Sequence, residues 1–235
     1  MKFLTRPKVK ARDAIDLCIA SIRDNDLVGR MKLAIKAIEL AETEYISHGE
    51  EATLYQIAAT KKIANVISVA EMERVYKGTF VRSSGTRHIY DTLKKQSEND
   101  ICPLCGQRTV STLDHYLPQS AHPALVITPV NLVPACSECN KAKLARQASV
   151  AIDQTLHPYF DDLGDARWLY AEVNEASPAA LVFSADPPDA WGDILRQRVI
   201  AHFKTFGLGP LYASHAAVEL RATLNKPSQS INLLV

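Results

Sequence analysis

The chain contains no apolar run approaching the roughly 18 residues that a membrane-spanning helix requires, so no contact with a bilayer is expected. Its opening residues, MKFLTRPKVKARD, carry charge too often to include the apolar stretch of a secretory leader. A cytoplasmic location is therefore the expectation. Disulfides are rare there, which leaves four of the five cysteines to be explained in another way. An excess of charge of one sign is also missing. The formal net charge of +1 excludes a globally basic nucleic-acid binder, although a local basic surface stays open. There is no internal repeat and no low-complexity tract. No Gly-x-x-x-x-Gly-Lys-Ser/Thr loop is present, so any use of ATP must belong to a partner chain. What is present is an ordinary globular composition, 47% hydrophobic and 23% charged over 235 residues, enough to bury a substantial core in one or two domains.

Hydrophobic spacing divides the chain into three stretches. Residues 12 to 47 read as helical, with Leu27, Met31, Ile35, Ile38 and Tyr45 on one face, a boundary at Gly29 open, and a close at His48-Gly49. A second helix is expected over 51 to 77, ended by Gly78, and a short third over 86 to 96. Residues 1–98 thus form a helical region. After position 160, RWLYAEV and AALVFSA read as two strands separated by NEASP. Helices over 190 to 206 and 210 to 225 follow, divided by GLGP, and residues 164–235 form a C-terminal α/β extension.

The chemistry is concentrated in the middle stretch, 99–163. CPLCG at 102 to 106 and CSEC at 136 to 139 are two C-x-x-C pairs with 30 residues between them. Each pair can place two thiolates on one metal, and two pairs complete a tetrahedral zinc site made by Cys102, Cys105, Cys136 and Cys139. A closed site of four thiolates holds a fold and does no chemistry. A thioredoxin-like redox reading needs one pair and leaves the other unexplained. Cys18, among apolar residues of the first helix, reads as core.

Between the cysteine pairs lie TVSTLDHYLPQ, the loop SAHPALVITPV, and NLVPACSECNKAK. The order is strand, loop, strand, helix, with Asp114-His115 closing the first strand. Asp-His after a strand, Asn-Leu-Val about fifteen residues later, and C-x-x-C-N-x-x-K at a helix start together resemble an HNH endonuclease. That family is built on the ββα-metal, or His-Me, finger, here in a zinc-containing form. The resemblance covers residues 100 to 160, and HPYFDDL at 157 to 163 resembles the segment that follows the finger in many bacterial members. The fold class it implies is α+β, a zinc-stabilised HNH finger embedded in a mainly helical protein. The whole pattern also resembles the HNH effector subunit of bacterial anti-phage systems of the Septu and retron kinds. Such an effector works beside an ATPase partner that the flanking helices would dock.

The resemblance implies roles residue by residue. His115 would be the general base for an attacking water, and Asp114 a ligand of a catalytic Mg2+ or Mn2+. Asn131 would fix the loop that orients the histidine through backbone contacts. Asn140 stands where many members carry a histidine and would be the second metal ligand. These residue types suit the chemistry. A histidine titrates near neutral pH, and a carboxylate and an amide oxygen are hard ligands for magnesium. Read alone, Asp114-His115 could be a surface pair and Asn140 a helix-start cap.

One geometric demand follows. Neighbours on a regular strand point to opposite faces, so the chain must end or bend its strand at Asp114-His115 for both to serve one site. Phosphate contacts are expected from Lys141, Lys143 and Arg146 on the finger helix, and from Arg87 in the basic run 74 to 95. His122 reads as surface, while His88 and His157 read as structural as readily as functional. The substrate expected is nucleic acid, DNA by default with structured RNA open. The alternative is a zinc-stabilised nucleic-acid-binding or adaptor module without cleavage.

Overall fold

The computed structural model describes residues 1–144, 146–175 and 180–224. Helix α1 (Ala11–Ser21) buries Ala11, Ala14, Ile15 and Cys18, one stripe at helical spacing. The carboxylate of Glu42, itself buried, accepts from Ala11 N at 3.0 Å and so ties the start of α1 to the next helix. Asp24 caps α2 (Asn25–Glu50) by accepting from Leu27 N at 3.1 Å, a cap that contributes about 1 kcal/mol. The break expected at Gly29 does not occur. Nothing lies within 4 Å of where its side chain would be, and α2 runs straight through it. The helix closes at Glu50, one residue past the expected His48-Gly49. A Cβ on Gly49 would lie 2.5 Å from the Phe160 ring, so the glycine serves close packing.

The helix expected over 51 to 77 is mostly absent. A small antiparallel hairpin, β1 (Lys62–Ile63) with β2 (Ile67–Ser68), turns through Ala64 and Asn65 at φ 45° and 59°. Ser68 and Glu71 then form a capping box for α3 (Val69–Val75). The chain winds on as a π-helical turn over Tyr76–Phe80 that includes Gly78. Helix α4 (Ser84–Lys94) follows.

The middle of the chain forms β3 (Thr112–His115), β4 (Leu132–Ala135) and α5 (Ser137–Lys143). β3 and β4 are antiparallel, with Asp114 opposite Val133 and His115 opposite Leu132. Antiparallel β5 (Leu169–Asn174) and β6 (Ala180–Ala185) match the two later strands, and α6 (Asp193–Thr205) and α7 (Leu208–Leu224) the two tail helices. Residues 176–179, in and after the expected NEASP connection, and residue 225 lie outside the described residues. Mixed helices and small antiparallel sheets make the chain α+β.

The β3–β4 hairpin lies between two apolar clusters. Leu113 and Leu132 join the cluster built from α1 to α4. Val133 and Ala135 join a second, with the four paired cysteines, Tyr45, Tyr159 and the α6–α7 residues Phe206, Leu208 and Leu211. Packing is therefore continuous across positions 98/99 and 163/164. The Arg198–Asp161 ion pair, at 2.8 and 2.6 Å, is nearly sealed from water and fastens α6 to the loop after the finger.

Candidate metal centre and cleft

The Cys102, Cys105, Cys136 and Cys139 sulfurs lie within 4.8 Å of one another, and all four residues are buried. A tetrahedral zinc with bonds of about 2.3 Å separates its sulfurs by about 3.8 Å, so the cluster needs only slight closure around an ion. The backbone is shaped for thiolates. Arg108 N points at Cys105 Sγ at 3.5 Å and Cys139 N at Cys136 Sγ at 3.4 Å. In the first pair the chain turns back through Gly106 at φ 66°, closed by Gly106 N to Cys102 O at 2.7 Å. Contacts among the four sulfurs push the Cys105 thiol down and the Cys136 and Cys139 thiols up, so without an ion the negative charge is shared unevenly across the cluster. These cysteines can hold a metal ion, and the donor set is that of structural zinc. Cys18 stands apart in the core, where burial pushes its thiol up to about 12.

From this anchor the hairpin carries Asp114 and His115 into a cleft of about 560 Å3. Asn140 reaches the same cleft from α5, and Lys77, Arg82 and Lys141 also line it. The strand ends at His115, which lets two consecutive residues reach one cavity. The His115 ring is held from behind: its Nε2 lies 2.9 Å from the Val126 carbonyl and its face meets Tyr76 edge-on at 4.7 Å. An Nε2–H donating to that carbonyl leaves Nδ1 as the unprotonated nitrogen. Among the described residues nothing else bonds the ring, and Nδ1 is not sealed from solvent.

The loop that supplies Val126 is cross-linked by Asn131, which has no exposed surface. Its Oδ1 accepts from Leu117 N at 2.7 Å, and its Nδ2 donates to Leu117 O at 3.0 Å and Leu125 O at 3.1 Å. These are the backbone contacts expected of it. Asn140 is the fourth residue of α5 and caps nothing; the Cys136 sulfur takes the cap position.

The electrostatics of the pair are set by burial. Desolvation raises the Asp114 carboxyl to about 6, opposed by Lys143, so it is ionised at neutral pH and protonated in mild acid. Desolvation lowers the His115 imidazole to about 4, keeping it neutral. Lys143 explains much of this arrangement and corrects an expectation. It is no surface phosphate contact: its Nζ is buried 3.3 Å from Asp114 Oδ2 and donates to His115 O at 2.6 Å.

Other expected contacts also move. α5 stops at Lys143 because Leu144 turns to φ 53°, which leaves Arg146 outside the helix and away from the cleft. Arg87 is exposed but engaged with Asp91 at 2.9 Å, Val81 O at 3.0 Å and the Tyr90 ring. Lys141 is exposed at the cleft. Sequence reasoning gave no special place to Arg82, whose only signal was its membership of the basic run. His122 is buried, 2.7 Å from Gln147 Oε1. His157 is packed between Tyr116 and Phe160, with its Nε2 2.9 Å from Tyr45 Oη and its Nδ1 accepting from Tyr159 N. It lines neither this cleft nor the cavity beside Tyr55 and Arg146, and its contacts serve packing. His88 is exposed on α4.

No family model matches the chain, and no solved structure matches it. It is similar to a curated protein, protein ea31 of Escherichia phage lambda, with 24% identity over 185 residues. That match covers 77% of this chain and 62% of the relative, so the chain spans less than two thirds of the relative's length. Among the described residues no helix is long and apolar enough to cross a membrane.

Proposed function

We propose that the protein is a metal-dependent endonuclease of the HNH kind, cutting phosphodiester bonds in the Asp114–His115–Asn140 cleft. The observation that carries this reading is the convergence of those three side chains on one basic-rimmed cavity, with His115 fixed through its far nitrogen. The donor set fits a hard divalent cation, since a residue bearing a carboxylate and one bearing a carboxamide line the same space. Magnesium or manganese held by Asp114 and Asn140 would supply charge relief at the phosphate and its leaving oxygen.

The chain's own residues do the rest. His115 Nδ1 takes a proton from water while the Val126 carbonyl steadies the imidazolium that forms. Asn131 holds the loop that carries Val126. Lys141 and Arg82 neutralise backbone phosphates at the rim. Cys102, Cys105, Cys136 and Cys139 would hold a zinc ion that anchors the hairpin and α5 against each other, away from the reacting atoms.

The placement beside an ATPase in an anti-phage system rests on the sequence resemblance, and stable co-purification of an ATPase tests it. The Lys143–Asp114 pair favours a second reading, a zinc-stabilised binding module, because an ammonium already occupies one carboxylate oxygen. A nicking assay separates the two. Zinc-loaded protein with Mg2+ or Mn2+ is expected to leave 5′-phosphate ends on plasmid DNA or structured RNA, and folded His115→Ala is expected to leave them uncut. Absence of cleavage by the wild-type chain on both substrates, with a co-purified partner present, would overturn the enzyme reading.

A further inference from the structure

A second cavity, of about 400 Å3, borders the same two segments as the cleft but takes different residues from them: Tyr116 and Leu117 between His115 and Pro118, and Lys143 of α5 where the cleft takes Asn140 and Lys141. Its size falls in the range of small-molecule sites, roughly 300 to 1,000 Å3. Tyr55 and Tyr116 supply aromatic wall, and Lys143, Arg146 and Lys204 supply charge, against the single acid Asp153. Among the described residues neither Arg146 nor Lys204 has an acidic partner within ion-pair distance, unlike Arg87 or Arg198. A concave site with surplus cations and an aromatic face suits an anion that carries a flat ring. Lys143 lines this cavity while its ammonium holds Asp114, which lines the cleft. One side chain thus forms the wall between the two.

We propose that the second cavity binds a small phosphate-bearing ligand of nucleotide size, and that Lys143 transmits its occupancy to Asp114. The transmission rests on the reading of Asp114 as a metal ligand; the binding does not. A phosphate on Arg146 and Lys204 offers the Lys143 ammonium a new partner. Turning toward it vacates Asp114 Oδ2, and the cation site opens. By reciprocity, a cation on Asp114 tightens the anion site by the same factor.

Calorimetric titration of the zinc-loaded chain with adenosine 5′-monophosphate, inorganic phosphate and adenosine tests the binding. The nucleotide is expected to saturate at millimolar concentration or below, and adenosine to give no heat. Arg146→Glu with Lys204→Glu, both at exposed positions, is expected to weaken the nucleotide at least tenfold, while Lys141→Glu at the cleft rim leaves it unchanged. No binding by either phosphate probe, or loss through Lys141→Glu instead, overturns the site. An oligonucleotide is expected not to displace the nucleotide; displacement would make the cavity part of the substrate's path and overturn the regulatory role. Mn2+ affinity, read by electron paramagnetic resonance, is expected to tighten at least fivefold with nucleotide bound, the low end of ordinary couplings, and not to respond in folded Lys143→Met. Unchanged Mn2+ affinity overturns the transmission. If Asp114→Ala leaves Mn2+ binding intact, the metal reading fails, while the nucleotide titration still judges the cavity.

Discussion

Replacing Asn131 with leucine removes three hydrogen bonds while keeping the number and branching of side-chain heavy atoms, and tests whether the loop behind His115 is held as described. Leu125 O keeps a bond from Thr128 N at 3.3 Å, but Leu117 N and Leu117 O lose the partners that Asn131 gives them. Each orphaned buried group costs about 1–3 kcal/mol, so the variant should lose about 2–6 kcal/mol of stability. Urea denaturation followed by circular dichroism measures this, with zinc content confirming that the four-cysteine site survives. The loop also carries Val126 O, the acceptor that orients His115. A displacement of about 1 Å there is expected to lower the cleavage rate by about 100-fold. A loss under about 1 kcal/mol, or full activity with the expected loss of stability, would refute the link from Asn131 to the histidine.

Cys136→Ser removes one of four sulfurs while keeping a side chain that can cap α5; the protein is expected to lose its metal and aggregate, read by metal analysis and gel filtration. Arg198→Met leaves the Asp161 carboxylate nearly buried and without its cation, and should cost about 3–5 kcal/mol in thermal or urea unfolding. Cleavage at limiting Mg2+ should fall as pH drops through about 6, where Asp114 takes up a proton, and added metal should move that limb lower. His115 adds no limb in that range, because its imidazole is already neutral well below it. Zinc-loaded protein without Mg2+ should lose stability as pH falls from about 6.5 toward 4. His115 and His202, lowered to about 4 and about 3, together with His157, stay neutral when folded and charge when unfolded. Asp114 runs the other way and offsets about one of these three; melting temperatures that rise on acidification would contradict the assignment.

What could be read from sequence was what is local. The two C-x-x-C pairs, the Asp114-His115 strand, NLVPA and the start of α5 depend on spacing within a few residues, and all fall where expected. The stretch 51 to 77 misled because its hairpin turns on Ala64 and Asn65 at positive φ, with no glycine to mark it. Leu144 ends α5 in the same unmarked way. Lys143 shows the deeper limit. A lysine on a short helix reads as solvated until the fold sets a buried carboxylate 3.3 Å from it. Position along the helix said nothing of that partner, and it moves Lys143 from substrate contact to the wall of the site.

The most direct test of the central claim is a crystal of the zinc-loaded chain soaked in Mn2+ and measured at the manganese absorption edge. The account predicts an anomalous peak in the cleft about 2.1 Å from oxygens of Asp114 and Asn140, with His115 Nδ1 facing the space beside it. A peak bound elsewhere, or an empty cleft with the Lys143–Asp114 pair intact at saturating Mn2+, would contradict it.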